Sequence, residues 1–582
     1  MKSFWKTVLA VIVGIILVSI IGFMFSMAIF GSIAAIGSAT APMPRSGVLV
    51  MDMGKVVIGE QAQEVNPIQS LSGREMVETI GLWDAVQAIN IAAEDPSVEY
   101  ICLKTDGNAS SLAATQEIRK SLEKFRESGK AVVSYIESPS TGSYYLASVA
   151  DKVYMTAYPG ATTMVTGVGS QMIFLKDLLD KFGVNMQLIR HGKFKSAGEM
   201  YTRNAASPEN LMQYQVLVNS LWKSLSGEIA ASRGISVEEL DDAINSLKLC
   251  LPQDFVDCKL VDELMTREQL EAKLASLSVK ESFKDVSFIK FGDYVAAKVV
   301  PARKTGQIAV IYANGNIVDA NDPANISGDR FAGIVRKVRD DDKIKAVVLR
   351  VNSPGGSVLA SEKIKHELDL LGEKKPLIAS YGDYAASGGY WISNNCDKIF
   401  TDAVTLTGSI GVFGLIPDLS KTLKDVAHVN VQAVTSNAHG DMYGLMRPFD
   451  QAEYKYMERS IEDIYERFTT IVSEGRGIPK EQVDEIGQGR VWTGADALGI
   501  RLVDEIGTLE DAITYAAVAA GDPDLSSWEV KGFPKPQTIM EQMMASLGKG
   551  EMDEEVIFLR KFGDLTKVQI LARLPFELEL KY

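Results

Sequence analysis

Ser387 stands in SYGDYAASGGYWIS, residues 380–393, between small residues and a glycine pair, where an apolar strand gives way to a helix. Small residues let a helix start close against a sheet, so packing alone accounts for the pattern. A serine hydroxyl at such a junction is also a candidate nucleophile for acyl transfer. About thirty residues earlier, VNSPGGSV (351–358) ends another strand. Gly355 and Gly356 there free their backbone N–H groups from obstruction by a Cβ, as a developing oxyanion requires. Adjacent parallel strands bring their C-terminal ends to one edge of a sheet, so nucleophile and donors can meet.

A serine needs a base, and the chain offers four histidines: His191, His366, His428 and His439. His366 falls in a charged helical pattern and His428 follows one, and both read as surface residues. His439, in TSNAHGDMYG, stays open as a base. His191 opens HGKFKSAGEMYTR, which also carries Lys193 and Lys195. A lysine serves as base when burial disfavours its ammonium form and leaves a neutral amine.

The elements that must position these groups occur twice. ICLKTDGNASSLAAT from Ile101 aligns with VVLRVNSPGGSVLAS from Val347, and TGSYYLASVADKVYM from Thr141 with SGGYWISNNCDKIFT from Ser387, at one offset of 246 residues. Each copy alternates apolar strands with amphipathic helices, which predicts βαβ units and a parallel sheet. The fold class is α/β in tandem duplicate. The first copy has Thr141 for the serine, Asn108 for the proline, and Ala109 and Ser110 for the glycines. Adding the offset to Lys195 gives Asp441. One copy thus keeps the candidate nucleophile and the other the candidate base. Residues 241–303 read as a connecting region. The Met-rich PQTIMEQMMASLGKGEMDEE after Gly521 reads as a surface helix or partner contact.

The 582 residues exceed what one hydrophobic core organises. A net charge of −15 and a pI near 5.0 give no nucleic-acid footprint. Four cysteines lack CxxC spacing, which argues against a structural zinc site; Cys102 and Cys396 read as core thiols, and pairing of Cys250 with Cys258 stays open. Thr7 to Gly31 is uncharged and longer than the about 20 residues that cross a bilayer, so residues 7–31 are expected to form a transmembrane anchor. Lys2 and Lys6 precede it and should stay in the cytoplasm, with the rest of the chain on the far side.

With VNSPGGSV, YAASGGYWIS, TLTGSIGVFG and HGKFKSAGE in place, the sequence resembles the signal peptide peptidase A family, membrane-anchored Ser/Lys peptidases of bacteria, in its long duplicated form. The resemblance implies a fold similar to Clp protease and crotonase enzymes, with Ser387 as nucleophile and Lys195 as general base. It also implies that Ser409 orients the lysine and that the N–H groups of Gly356 and Gly388 form the oxyanion hole, with no metal or organic cofactor. The implied organisation is an anchor at 7–31, a repeat at 46–300 supplying the lysine, a repeat at 304–520 supplying the serine, and a tail at 521–582. Further implications are a homotetramer, contact with membrane lipid through the N-terminal helix, and a site on the periplasmic side of a bacterial inner membrane. Its peptide substrates would be the remnants of cleaved signal peptides. Two other classes fit parts of the pattern: a crotonase-like acyl-CoA enzyme, which would not need Ser387 paired with a distant lysine, and a catalytically silent membrane scaffold.

Overall fold

The computed structural model describes residues 44–63, 77–300, 304, 306–536, 569–574 and 580–581, together with Gly14 and Val18. In the first copy, strands β1 (Gly47–Asp52), β2 (Val98–Lys104), β3 (Val132–Ile136) and β4 (Lys152–Thr156) alternate with helices α1 (Leu82–Glu94), α2 (Leu112–Glu127) and α3 (Thr141–Ala147). The chain then leaves this sheet through β5 (Asn185–His191) and the long helix α4 (Pro208–Arg233). The segment read as a connector supplies β6 (Glu263–Met265) and β7 (Phe288–Lys290), which close the two edges. The order is β7-β1-β2-β3-β4-β6, parallel throughout.

The second copy contains β8 (Gly306–Asn314), α5 (Gly328–Asp340), β9 (Ile344–Ser353), β10 (Gly355–Ser357), α6 (Val358–Gly372), β11 (Leu377–Ala386), α7 (Gly388–Ser393) and β12 (Lys398–Thr401). There follow β13 (Leu406–Gly408), β14 (Val412–Asp418), α8 (Gln451–Arg476), β15 (Val491–Thr493), α9 (Leu509–Ala519), β16 (Trp528–Phe533) and β17 (Gln569–Arg573). Its main sheet runs β15-β13-β11-β9-β8-β16, with β12 also paired to β11. A further sheet crosses from one copy to the other through β10, β17, β14 and β5, in that order. The tail after Gly521 therefore contributes β16 to one sheet and β17 to another.

The duplication is visible element by element. α1 and α5 begin at 82 and 328, β2 and β9 at 98 and 344, β4 and β12 at 152 and 398, each pair 246 apart. α4 and α8 begin at 208 and 451, only 243 apart. The offset thus changes between β4 and α4, the stretch that holds Lys195, and the equivalence of Lys195 with Asp441 is not fixed by it.

Alternation along β8 sets the layers. Ile308, Val310 and Tyr312 join a core with Ala85 and Ile89 of α1, Ile118 and Leu122 of α2, and Ile513 of α9. Ala309, Ile311 and Ala313 join the opposite core with Val335 of α5, Ile364 of α6 and Phe468 of α8. Helices of the first copy therefore lie against the sheet of the second, which ties the two copies together by apolar burial. Within this contact Arg350 of β9 is buried between Glu60 at 2.8 Å and Glu117 at 2.7 Å, both from the first copy. Asp402 lies buried beside them, and burial, with Glu117 adding to it, pushes its carboxyl well above the usual range.

The expected anchor is corrected. Among the described residues no helix is long and apolar enough to cross a membrane. Residues 7–31, apart from Gly14 and Val18, lie outside those described. The membrane-anchored form of the resemblance, the lipid contact and the inner-membrane placement are withdrawn with the span. The signal-peptide substrates and the tetramer, which came with that form, are not carried forward. The Met-rich stretch also lies outside the described residues except Pro536. All four cysteines are free, Cys102 and Cys396 buried and Cys250 exposed, so Cys250 and Cys258 do not pair.

Candidate active site

Ser387 occupies the single residue between β11 and α7. Its N–H donates to the Gly408 carbonyl at 2.8 Å and its carbonyl accepts from the Trp391 N–H at 2.8 Å. Held between sheet and helix, it adopts φ 54° and ψ −112°. A side-chain-bearing residue in such a conformation costs on the order of 1–3 kcal/mol and persists only where its surroundings over-determine it. Those surroundings are Ala385, Ala386, Tyr390 and Trp391, all without solvent exposure. The equivalent Thr141 instead opens α3 behind a Ser140–Ser143 capping box, and its Oγ1 accepts from the N–H groups of Thr166 and Gly167 at 3.0 and 3.2 Å. The first copy thus spends its hydroxyl on holding a loop.

The glycine pair adjoins this turn. Gly356 has φ 156°, and a Cβ there would stand 1.9 Å from the Ile317 carbonyl oxygen, so no other residue fits. A Cβ on Gly355 would lie 2.6 Å from the Gly388 nitrogen, which measures how closely the two glycine segments approach. In the first copy the side chain of Ser110 accepts from the Ile58 N–H at 2.9 Å, a structural use.

Lys195 arrives from the other copy. β5 pairs antiparallel with β14 over seven residues, from Val412 opposite His191 to Asp418 opposite Asn185. The chain then turns through Gly192 to Gly198. Phe194 N–H donates to the Gln488 carbonyl at 2.9 Å, and the Arg190 guanidinium donates to the Lys195 carbonyl at 2.8 Å. Lys195 Nζ lies 2.9 Å from Ser387 Oγ, 3.0 Å from Ser409 Oγ and 3.2 Å from the Ser409 carbonyl oxygen. The lysine is fully buried, and that burial pushes its pKa well below the ordinary lysine value. A neutral amine has two N–H groups and one lone pair, which match two acceptors on Ser409 and one hydroxyl donor on Ser387. The two residues meet within one chain.

The other candidate bases lie elsewhere. Lys193, two residues away, is exposed, its ammonium 5.4 Å from the centre of the Phe194 ring. His191 stacks on Tyr465 with ring centres 3.9 Å apart. His439 is half exposed and bonded to Glu453 at 2.9 Å, and Glu453 also holds the Arg447 guanidinium at 2.7 Å. His366 and His428 are exposed.

Two further residues shape the lysine pocket and were not singled out in the sequence. A Cβ on Gly489 would lie 2.5 Å from Lys195 Cβ, and one on Gly411 would lie 3.2 Å from Lys195 Cδ. The glycines of GQGRVWTG and TGSIGVFG were the available signal. The strand β17, from the tail after Gly521, pairs with the glycine strand β10 beside Ser387's turn.

Fold and site together define a duplicated α/β protein whose two copies share one serine–lysine centre. A model described as peptidase family S49 matches residues 124–280 and 369–521, one stretch in each copy. Protease 4 of Haemophilus influenzae is 30% identical over 590 residues, covering 98% of this chain and 95% of its own. Protease 4 of Salmonella typhi is 34% identical over 519 residues, covering 86% and 82%. The chloroplastic serine protease SPPA of Arabidopsis thaliana is 29% identical over 485 residues, covering 80% and 71%. The chain belongs to peptidase family S49, a class of serine peptidases. A solved ClpP1 mutant from Listeria monocytogenes aligns with 35% of this chain and 94% of that one at 15% identity and a TM-score of 0.24.

Proposed function

We propose that the chain hydrolyses peptide bonds with Ser387 as nucleophile and Lys195 as general base, the second copy supplying the serine and the first the lysine. The observation that carries the reading is the 2.9 Å contact between a fully buried lysine amine, its pKa lowered by burial, and the hydroxyl of a conformationally strained serine. Neutral Lys195 takes the Ser387 proton as Oγ attacks the peptide carbonyl. The N–H groups of Gly356 and Gly388 receive the oxyanion, a term worth several kcal/mol in sites of this kind, about 2.7–4 for one donor. The lysine ammonium gives its proton to the leaving amine. Water, deprotonated by the same lysine, then releases the acyl group. Ser409 keeps the amine aimed at Ser387 through both steps.

The test is covalent labelling. A serine-directed acylating probe is expected to modify Ser387 in the full chain and to modify it far more slowly in Lys195→Ala, with the site mapped by mass spectrometry. Labelling of another serine, or equal labelling of Ser387 without the lysine, contradicts the assignment.

A further inference from the structure

Lys195 is held through its main chain as well as through its amine. Arg190, near the end of β5, donates from Nη1 to the Lys195 carbonyl at 2.8 Å and to Glu199 Oε1 at 3.1 Å. Glu199 is only 1% exposed, and its carboxylate accepts three further bonds. These come from the Ser207 N–H at 3.0 Å, the Ser207 hydroxyl at 2.7 Å and the Asn210 side-chain amide at 3.2 Å. Asn210 Oδ1 in turn accepts from the Ser196 hydroxyl at 2.8 Å. Ser207 is the N-cap of α4, a helix of 26 residues, and Asn210 lies in its first turn. Burial alone would raise the Glu199 carboxyl, but the Ser207 N–H and hydroxyl and the Arg190 guanidinium outweigh it and hold the group below its usual range. The carbonyl of Lys195 and the hydroxyl of the residue after it are thus both fastened to one buried cluster at the start of a long helix.

The second copy separates a structural role from a positioning one. At the 243-residue offset of α4 and α8, Ser207 corresponds to Asp450 and Asn210 to Glu453. Glu453 is buried, and it accepts from the Asp450 N–H at 2.9 Å and from both terminal nitrogens of Arg447 at 2.7 Å. A buried carboxylate therefore pins the incoming loop to the helix start in both copies, from the loop in the first and from the helix in the second. Fastening the loop needs no more than that. The first copy adds Arg190, where the second has Ala433 or Ser436 at offsets of 243 and 246. This arginine extends the anchor to the carbonyl of the residue whose amine lies 2.9 Å from Ser387 Oγ.

We propose that Arg190 and Glu199 are positioning residues for Lys195, fixing its main chain so that the buried amine keeps its place against Ser387; the inference rests on the Ser387–Lys195 reading above. A lysine stem is flexible, and Ser409 holds only its far end. The near end is set by the turn, and the turn is set by the Arg190 and Glu199 bonds. Without them the main chain at Lys195 shifts and the amine shifts with it, in a reaction where about 1 Å of misplacement can cost about 10²-fold. Glu199 acts through Arg190, and Arg190 through the lysine.

The experiment measures kcat and KM on a fluorogenic peptide ester for the full chain as wild type, Arg190→Met, Glu199→Gln, Asn210→Ala and Glu453→Gln. Active sites are counted by the final extent of Ser387 acylation with the serine-directed probe, so that any loss of folded protein is divided out. The expected result for Arg190→Met and Glu199→Gln is a fall of about 10-fold or more in kcat per labelled site with KM nearly unchanged, and for Asn210→Ala a smaller fall of the same kind. Glu453→Gln lowers the urea midpoint and keeps the wild-type kcat per labelled site. Wild-type kcat per labelled site in Arg190→Met and Glu199→Gln overturns the positioning role and leaves the Ser387–Lys195 reading standing. An equal fall in Glu453→Gln also overturns it, because general loosening would then account for the loss. If Arg190→Met and Glu199→Gln do not fold, Asn210→Ala decides by the same split between kcat and KM. Wild type that neither turns over nor labels overturns the peptidase reading, and this inference with it.

Discussion

Lys195 and Ser387, 192 residues apart in the chain, place Nζ 2.9 Å from Oγ in a setting without solvent exposure. The separation in sequence is bridged by one strand pairing, β5 on β14, which lays a piece of the first copy along the second. Neither copy holds both groups, so the duplication is a condition of the site and not a decoration of it.

The lowered pKa of Lys195 sets a pH dependence with a definite sign. An unfolded lysine titrates near about 10.4, and the folded value lies below that. Between the two values the unfolded chain binds one proton more than the folded one, so stability rises with pH across this window and is lost as pH falls toward the folded pKa. Activity rises with pH through the folded pKa as the amine becomes neutral. A pH profile of kcat/KM shows the second effect, and urea unfolding of wild type against Lys195→Met across the same range shows the first, with the variant lacking that slope.

Ser409 meets Lys195 Nζ through its hydroxyl and its carbonyl oxygen, and in the proposed mechanism it acts on Ser387 through that lysine. Ser409→Ala removes one of two acceptors on the amine and leaves the carbonyl one. The expected loss is about 10- to 100-fold in kcat, the range seen when orienting partners are removed, with KM nearly unchanged. A proportional rise in KM instead would place Ser409 in substrate binding.

Gly489 packs against Lys195. Gly489→Ala drives a Cβ to 2.5 Å from Lys195 Cβ at a backbone φ of 77°, so the lysine must shift. Because a displacement of about 1 Å can cost about 10²-fold, kcat should fall by at least tenfold in a folded variant. Unchanged kcat in Gly489→Ala would mean that the pocket tolerates a moved lysine.

The alternating strands and helices, the duplication and the glycine-flanked Ser387 were legible in the sequence because they are local patterns or repeats of them. Lys195 was legible only as one of two lysines in HGKFKSAG, and the family pattern rather than the spacing separated it from Lys193. Burial separates them physically, since the turn after β5 directs Lys195 inward and leaves Lys193 in solvent. The apolar run at 7–31 gave the expectation of a span that the described residues do not support. Gly489 and β17 were illegible because their roles arise from contacts between segments more than 150 residues apart. No periodicity within either segment announces its partner.

The copies should separate in stability if their buried charges are unbalanced. Arg350→Met leaves Glu60 and Glu117 buried without their cation. Losing one partner of a buried ion pair costs about 3–5 kcal/mol, so the urea midpoint should fall accordingly while Lys195 and Ser387 remain in the chain. A midpoint within experimental error of wild type would show that the two carboxylates find another partner or protonate at little cost.

The most direct test of the central claim is hydrolysis of a fluorogenic peptide ester with a small apolar residue at the cleaved carbonyl, by the full chain. Wild type, Ser387→Ala, Lys195→Ala and Lys193→Ala are compared after their folding is checked by circular dichroism. The account predicts a loss of about 10³-fold or more in kcat/KM for the first two variants and near-wild-type turnover for Lys193→Ala. Equal activity in Lys195→Ala and wild type would contradict the account, because no other base touches Ser387 among the described residues.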